Sequence, residues 1–376
     1  MKLALVHDYL TQRGGAERVF ELLCQHFPEA DIFTSLYDPQ KTIELGDRLV
    51  NTTFLQNIPY ARSHFRLMAP FYYSAFRTLD LQRYDLIISS STSFAKAVRK
   101  RPNATHICFC HNVTRFLWDT QTYLREYSGY QQFYPFIEKI FQLMRKADKR
   151  YAQEPDLYIA NSSTVKQRIQ HHYNKEAKVV NYPIDSTKFI FSGKKEDYCL
   201  VSSRMLGYKR IDVTIDAFNA LGWPLIVIGD GPESARLAER AGPTVSILGH
   251  VSDARRAELM ADAKYVIVSA LEDYGLVPIE ANASGTPVIC YGKGGVLDTQ
   301  VPGKTGLFFE QQHPESLQQV LLQAETIDWD YAAIREYALS KFSQAVFFNK
   351  IDTILADMGY VPVTPTERVP ASSGAA

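Results

Sequence analysis

Short apolar runs, each leading through a polar or glycine-containing turn into a helical stretch, recur along almost the whole of this chain. They stand at residues 2–7, 31–36, 84–89, 105–110 and 157–160, and again at 198–201, 225–228, 245–249, 265–268, 288–290 and 306–309. A short run that is apolar on both sides suits a strand buried on both faces. Such strands, joined through helices, build parallel sheets with right-handed crossovers. The pattern predicts an α/β chain of doubly wound sheets. At 376 residues the chain is too long for one ordinary core. The polar stretch 192–197, Ser-Gly-Lys-Lys-Glu-Asp, reads as a linker. Two Rossmann-like domains are expected, over 1–190 and 191–342, facing each other across a cleft, with a loose tail at 362–376.

Charge narrows the partners. Lys plus Arg and Asp plus Glu are both 41, so no basic excess points to nucleic acid. Five cysteines is an odd number and their spacing fits no disulfide framework. Without a signal peptide or a membrane-length apolar run, the expected location is the cytoplasm.

The densest chemistry lies at 269–286, S-A-L-E-D-Y-G-L-V-P-I-E-A-N-A-S-G-T. It follows the apolar run 265–268, and Pro278 falls in the first turn of the helix it opens. That helix ends at Gly285, with Pro287 beyond. Glu272 and Glu280 thus sit at the mouth of a strand-loop-helix unit, where open α/β sheets bind ligands. A pair of acceptor-only groups there suits a hydroxyl-rich partner such as a sugar or a ribose. The same pair also fits a surface loop and a helix dipole that favours an early Glu.

Other strand ends carry anion chemistry. Gly14-Gly15 follows the first strand and opens a helix, a place for phosphate or an ordinary turn where glycine supplies positive φ. Arg204 and Lys209 stand where the strand at 198–201 passes into a helix and can grip phosphate oxygens. His111 follows the strand at 105–110 and is a candidate polar site residue. Cys108, Cys110 and His111 are too closely spaced for an ordinary zinc site, and strand alternation explains them better. Asp328-Trp329-Asp330 reads as a helix-cap pair. Residues 57–83 interleave aromatic and arginine side chains. They read either as helices packing aromatic faces on their own domain, or as an acceptor groove or contact with an anionic membrane.

Glu272-Asp273-Tyr274-Gly275-Leu276-Val277-Pro278-Ile279-Glu280 resembles the E-x7-E motif of retaining GT-B glycosyltransferases, the group 1 family. The segment 203–212, Gly294-Gly295, Gly303–Phe309, Gly14-Gly15-Ala16-Glu17 and 111–119 are similar to that family too. The resemblance implies that Glu280 binds ribose hydroxyls and that Glu272 faces the donor sugar. It places the backbone of Asp273, Tyr274, Gly275, Leu276 and Val277 around sugar and phosphate. Arg204 and Lys209 would hold the diphosphate in place of a metal, Gly14 and Gly15 would cover it, and His111 would contact the sugar. No cofactor is implied, since the nucleotide sugar is a co-substrate. The last helix, about 343–358, would cross back onto the first domain.

The run His111-Asn112-Val113-Thr114-Arg115-Phe116-Leu117-Trp118-Asp119 is similar to that of GDP-mannose-dependent mannosyltransferases of surface polysaccharide synthesis. Mannose from GDP-mannose is therefore the first expectation and a UDP-sugar such as UDP-glucose the second. The acceptor is expected to be a glycan or a lipid-linked glycan, with peripheral contact at the inner membrane face through 57–83. A nucleotide-sugar 2-epimerase and a non-catalytic sugar-binding protein are the rival classes.

Overall fold

The computed structural model describes residues 1–120 and 134–360. The tail expected at 362–376 lies outside them. Seven strands form the first sheet: β1 Leu3–His7, β2 Asp31–Thr34, β3 Val50–Thr52, β4 Leu86–Ser91, β5 Thr105–Cys110, β6 Leu157–Ala160 and β7 Ala177–Val179. Six form the second: β8 Cys199–Ser202, β9 Leu225–Ile228, β10 Val245–Gly249, β11 Tyr265–Val268, β12 Val288–Tyr291 and β13 Gly306–Phe309. Their orders are β3-β2-β1-β4-β5-β6-β7 and β10-β9-β8-β11-β12-β13. Every pairing is parallel. The strand order reverses beside β1 and β4 in one sheet and beside β8 and β11 in the other. Those are the switch points where crossovers leave to opposite faces and a crevice opens.

The apolar runs become buried strands because helices cover both faces. Helix Gly15–His26 places Val19, Phe20 and Leu23 on the first sheet. Helix Gln344–Asp357 lays Phe347, Ile351, Ile354 and Leu355 in that same core, beside Leu3, Leu5 and Phe109. Chain beyond the second sheet thus packs on the first. His26 lies 2.9 Å from Asp352 and stacks on Phe348, closing this contact at the surface. The second lobe has cores of its own, with Phe218, Ile267 and Phe309 on one face and Met260, Val266 and Val288 on the other.

Four local readings change. The Ser and Thr run 89–93 predicts the cap of a helix carrying Lys96 and Arg99, but residues 93–99 form only a short 3-10 turn, Ala95–Ala97. The buried carboxylate of Asp8 accepts the backbone N–H groups of Thr92, Ser93, Phe94 and Ala95, which wraps the chain around it instead. Gly14 is extended, with φ −139°, so positive φ is not its purpose. Helix Ser234–Arg240 and the edge strand β3 arise where the sequence shows no strong periodicity. Within 57–83, Phe65, Tyr72, Tyr73 and Phe76 are buried in the first lobe, whereas Tyr60 and Phe71 are exposed.

Phe347 is 2% exposed in the core shared by the last helix and the first sheet. Phe347→Ala is expected to cost about 3–5 kcal/mol. Denaturant unfolding followed by circular dichroism measures that loss.

Candidate active site

Of the residues singled out at strand ends, Lys209 and Glu272 meet in a small pocket of the second lobe, while Gly15 and Glu280 line the cleft between the lobes. The loop after β11 carries Glu272, and the loop after β8 carries Lys209. Lys209 Nζ donates to Glu272 Oε1 at 2.6 Å. The pair is mostly sheltered, its side chains 14% and 20% exposed. Burial disfavours the Lys209 ammonium, but Glu272 beside it outweighs this and holds its pKa above the ordinary lysine value. Ser203, Ser269 and Val277 line the small pocket around the pair, about 20 Å³. Arg204, on the same loop as Lys209, is exposed and forms no ion pair among the described residues.

Glu280 lies one helix turn further in. Helix Leu276–Ala283 starts at Gly275, whose φ of 92° lets the chain turn sharply out of the loop. Glu280 is 6% exposed and pairs with Arg256 of helix Asp253–Asp262. Arg256 Nε also donates to Ser202 Oγ at 3.0 Å, at the end of β8. Arg256 is a site residue that sequence reading missed, since nothing in the spacing of 256 and 280 ties them together. Glu280, Arg256, Leu276, Gly15 and Arg18 line a cleft of about 640 Å³ between the lobes. Gly15 faces Leu276 so closely that a Cβ there would stand 3.3 Å from its Cδ1. A Cβ on Gly14 would stand 2.8 Å from Glu17 Oε2.

His111 follows β5, 5% exposed, and lines neither cavity. Its Nε2 lies 2.6 Å from Ser90 Oγ, and its Nδ1 bonds the Tyr182 hydroxyl. Ser90 Oγ in turn lies 2.9 Å from His7 Nδ1, and His7 Nε2 is 3.9 Å from Glu17. Both ring nitrogens of His111 are engaged inside the protein, so a contact with a sugar requires one of these bonds to open. Burial, and secondarily His7, lower the His111 pKa to about 3, so the ring is neutral at ordinary pH.

Asp273 and Tyr274, expected at the donor through their backbone, turn their side chains to the first lobe. Asn112 Nδ2 and Arg168 Nη1 each donate to the Asp273 carboxylate at 2.6 Å, and Arg115 lies 3.6 Å away. Ser162 Oγ donates to the Asp273 carbonyl at 2.6 Å, and Ser163 Oγ donates to Asp298 at 2.5 Å. The Tyr274 hydroxyl donates to the Tyr182 carbonyl at 2.8 Å. The Arg115 guanidinium stands 5.3 Å over the ring of Tyr208, beside Lys209. This interlobe clasp also escaped sequence reading.

Among the described residues no group of three or more His, Cys, Asp or Glu could hold a metal ion. Cys110 Sγ donates to the Asn112 carbonyl at 3.0 Å, a structural contact. Asp330 accepts from Ala333 N at 2.9 Å and caps helix Tyr331–Phe342, as its position suggested.

Two parallel-sheet lobes with a cleft at their switch points define the GT-B architecture. The family described as Glycosyltransferase Family 4 matches residues 13–188, and that described as Glycosyl transferases group 1 matches residues 185–341. The two matches together span residues 13–341, and the fold is that of GT-B glycosyltransferases. An uncharacterized glycosyltransferase of Methanocaldococcus jannaschii is 24% identical over 173 residues, 45% of this chain and 49% of that protein. The chain thus spans about half the length of that curated relative. Among solved structures, sucrose-phosphate synthase of Thermosynechococcus elongatus superposes with TM-score 0.71 and 17% identity, covering 96% of this chain and 99% of that one. HepE of Anabaena in complex with UDP and glucose gives TM-score 0.65 and 18% identity, covering 95% and 99%.

Two outcomes follow for the site. Asp273→Ala removes the acceptor shared by Asn112 and Arg168 and leaves Arg115 and Arg168 facing each other. Small-angle scattering should show a larger radius of gyration than wild type, with Asp273→Asn in between. Acid should also weaken the fold. His106 and His111 have folded pKa values of about 3, against an ordinary 6.5. Below pH 6.5 the unfolded chain takes up protons that the fold refuses. Stability is therefore lost as pH falls towards 3, by about 1.4 kcal/mol per pH unit per histidine. Urea unfolding at pH 7 and pH 5 measures the slope, and His111→Gln should make it shallower.

Proposed function

We propose that this protein transfers a hexose from a nucleotide sugar to an acceptor hydroxyl, with retention at the anomeric carbon and without a metal. The observation that carries this reading is the Lys209–Glu272 pair on the loops that leave the adjacent ends of β8 and β11, with Glu280 on the helix that follows lining the cleft between the lobes. The diphosphate of a donor would draw Lys209 away from Glu272. That leaves the Glu272 carboxylate to accept from sugar hydroxyls while Lys209 and Arg204 bind phosphate oxygens. Glu280, steadied by Arg256, suits the ribose hydroxyls. Gly15 admits the phosphates close to the start of helix Gly15–His26, and the first N–H groups of helix Leu276–Ala283 add further donors.

In the reaction the bond from the anomeric carbon to the diphosphate oxygen breaks and its electron pair leaves with the phosphate. The acceptor oxygen bonds the same face of that carbon, and its proton passes to the departing phosphate oxygen. Charge grows on the diphosphate, where Lys209 and Arg204 stabilise it most. His111, neutral and held by Ser90 and Tyr182, would reach the sugar only after one of those bonds opens. A glycan or lipid-linked glycan is the acceptor in this reading, taken from the side of the first lobe.

Mannose from GDP-mannose rests on the segment 111–119. A UDP-sugar is the second reading, and two observations favour it. HepE of Anabaena has been crystallised with UDP and glucose. In the present chain Thr114 and Trp118 of that segment bond Asp148, at 2.8 and 2.7 Å, inside the first lobe.

Incubation with GDP-mannose and with UDP-glucose, followed by mass spectrometry, decides the donor and the class. Transfer or slow hydrolysis supports a glycosyltransferase, isomerisation of the sugar supports an epimerase, and binding without turnover supports neither. Lys209→Ala should weaken nucleoside diphosphate binding by roughly 30-fold, the loss of one charged hydrogen bond. Glu272→Ala should retain that binding and lose most turnover. Activity that vanishes with EDTA would overturn the metal-free part.

A further inference from the structure

Residues 54–71 expose apolar side chains that no part of the described structure covers. Phe54, Ile58, Tyr60, Leu67 and Phe71 are 47%, 39%, 81%, 65% and 53% exposed. The stretch is not loosely attached. Gln56 bonds the backbone N–H and carbonyl of Tyr37, the Tyr72 hydroxyl donates to the Phe65 carbonyl at 2.8 Å, and the Phe65 ring packs 4.7 Å from Tyr9. Tyr9 follows β1 and Tyr37 follows β2, so the stretch runs along the carboxyl edge of the first sheet. That edge is the first lobe's side of the cleft. Tyr60 adopts φ 62°, an uncommon backbone state for a bulky residue, and puts its ring into solvent. A rigid segment that holds several large apolar groups outward marks an interaction surface.

Charge identifies the partner. Between Asp47 and Asp80 the chain has no Asp or Glu. Arg62 and Arg66 are exposed there and form no ion pair among the described residues. Arg66 instead lies 4.4 Å over the ring of Phe65. Arg77, by contrast, is neutralised by Glu154 at 2.8 Å, and Tyr72, Tyr73 and Phe76 are buried, so the surface ends near 71. Apolar anchors interleaved with unpaired arginines complement a sheet of negative headgroups over hydrocarbon.

We propose that residues 54–71 dock this protein on an anionic bilayer, with Tyr60, Leu67 and Phe71 entering the interface and Arg62 and Arg66 meeting the headgroups. The cleft then opens at the membrane surface. This surface stands independently of the proposed reaction, since binding to lipid is read without a sugar donor.

Cosedimentation of the full chain with phosphatidylcholine vesicles, with and without phosphatidylglycerol, tests the proposal. The protein should pellet only with the anionic vesicles. Arg62→Ser combined with Arg66→Ser should weaken this roughly 30-fold. Leu67→Ser combined with Phe71→Ser should abolish what binding survives in high salt. Both variants change exposed side chains, and unaltered circular dichroism melting would show that they fold. Wild-type protein that stays in the supernatant overturns the proposal, as does equal pelleting of wild type and both variants. A concentration-dependent dimer in ultracentrifugation, lost in Leu67→Ser/Phe71→Ser and without vesicle binding, would assign the surface to a second copy of the chain.

Discussion

The Asp273 carboxylate is the interaction on which the arrangement of the two lobes turns. It accepts from Asn112 and Arg168 at 2.6 Å each and lies 3.6 Å from Arg115, three groups of the first lobe. Its neighbour in sequence, Glu272, faces the opposite way and pairs with Lys209 of the second lobe. One loop therefore carries two adjacent carboxylates, one joining the lobes and one facing the pocket. The Asp273 side chain is 22% exposed, so its bonds are less screened than those of a surface ion pair. Any change in the angle between lobes must disturb it, and must shift Glu272 with it.

The first lobe prepares its side of the clasp with buried charge. Asp148 accepts from Lys96, Tyr73, Thr114 and Trp118, at 2.7, 2.5, 2.8 and 2.7 Å. A carboxylate and an ammonium buried this deeply are tolerated because their partners are complete. Thr114 and Trp118 are thereby held inward, while Asn112 and Arg115 of the same segment reach across to Asp273. Asp8 does similar work at the end of β1, gathering backbone N–H groups of residues 92–95. The row from His7 through Ser90 and His111 to Tyr182 ties the ends of β1, β4 and β5 to Tyr274 of the second lobe. Rigid strand ends on both sides bound the cleft.

Much of this was readable beforehand, for a definite reason. A strand buried on both faces is mostly apolar, so β1, β9, β11 and β12 announce themselves in one dimension. Glu272 and Lys209 were readable because each stands on the loop that leaves such a strand, where a parallel sheet has its ligand edge, and Glu280 because it sits in the helix that follows one of those loops. β3, Val-Asn-Thr, was not, because an edge strand of three half-buried residues needs no apolar run. The stretch around Lys96 was misread because Ser and Thr before an apolar segment look like a helix cap, while the group capping it is Asp8, distant in sequence. Arg256 looked like any helix arginine, and only folding brings it to Glu280.

The order of residues along the chain determined the two parallel sheets, the loops that leave their carboxyl ends and the acidic and basic groups on those loops. Local rules of strand burial, turn chemistry and helix starts act over a few residues, and a sequence displays them directly. The tertiary structure alone decided which charges meet: Lys209 with Glu272, Arg256 with Glu280, and Asp273 with Asn112 and Arg168 from the other lobe. It also decided which aromatic groups of 57–83 are core and which face solvent. Electrostatic pairing and burial depend on distance in space, and residues 24 to 161 positions apart come within 3 Å only when the chain has folded.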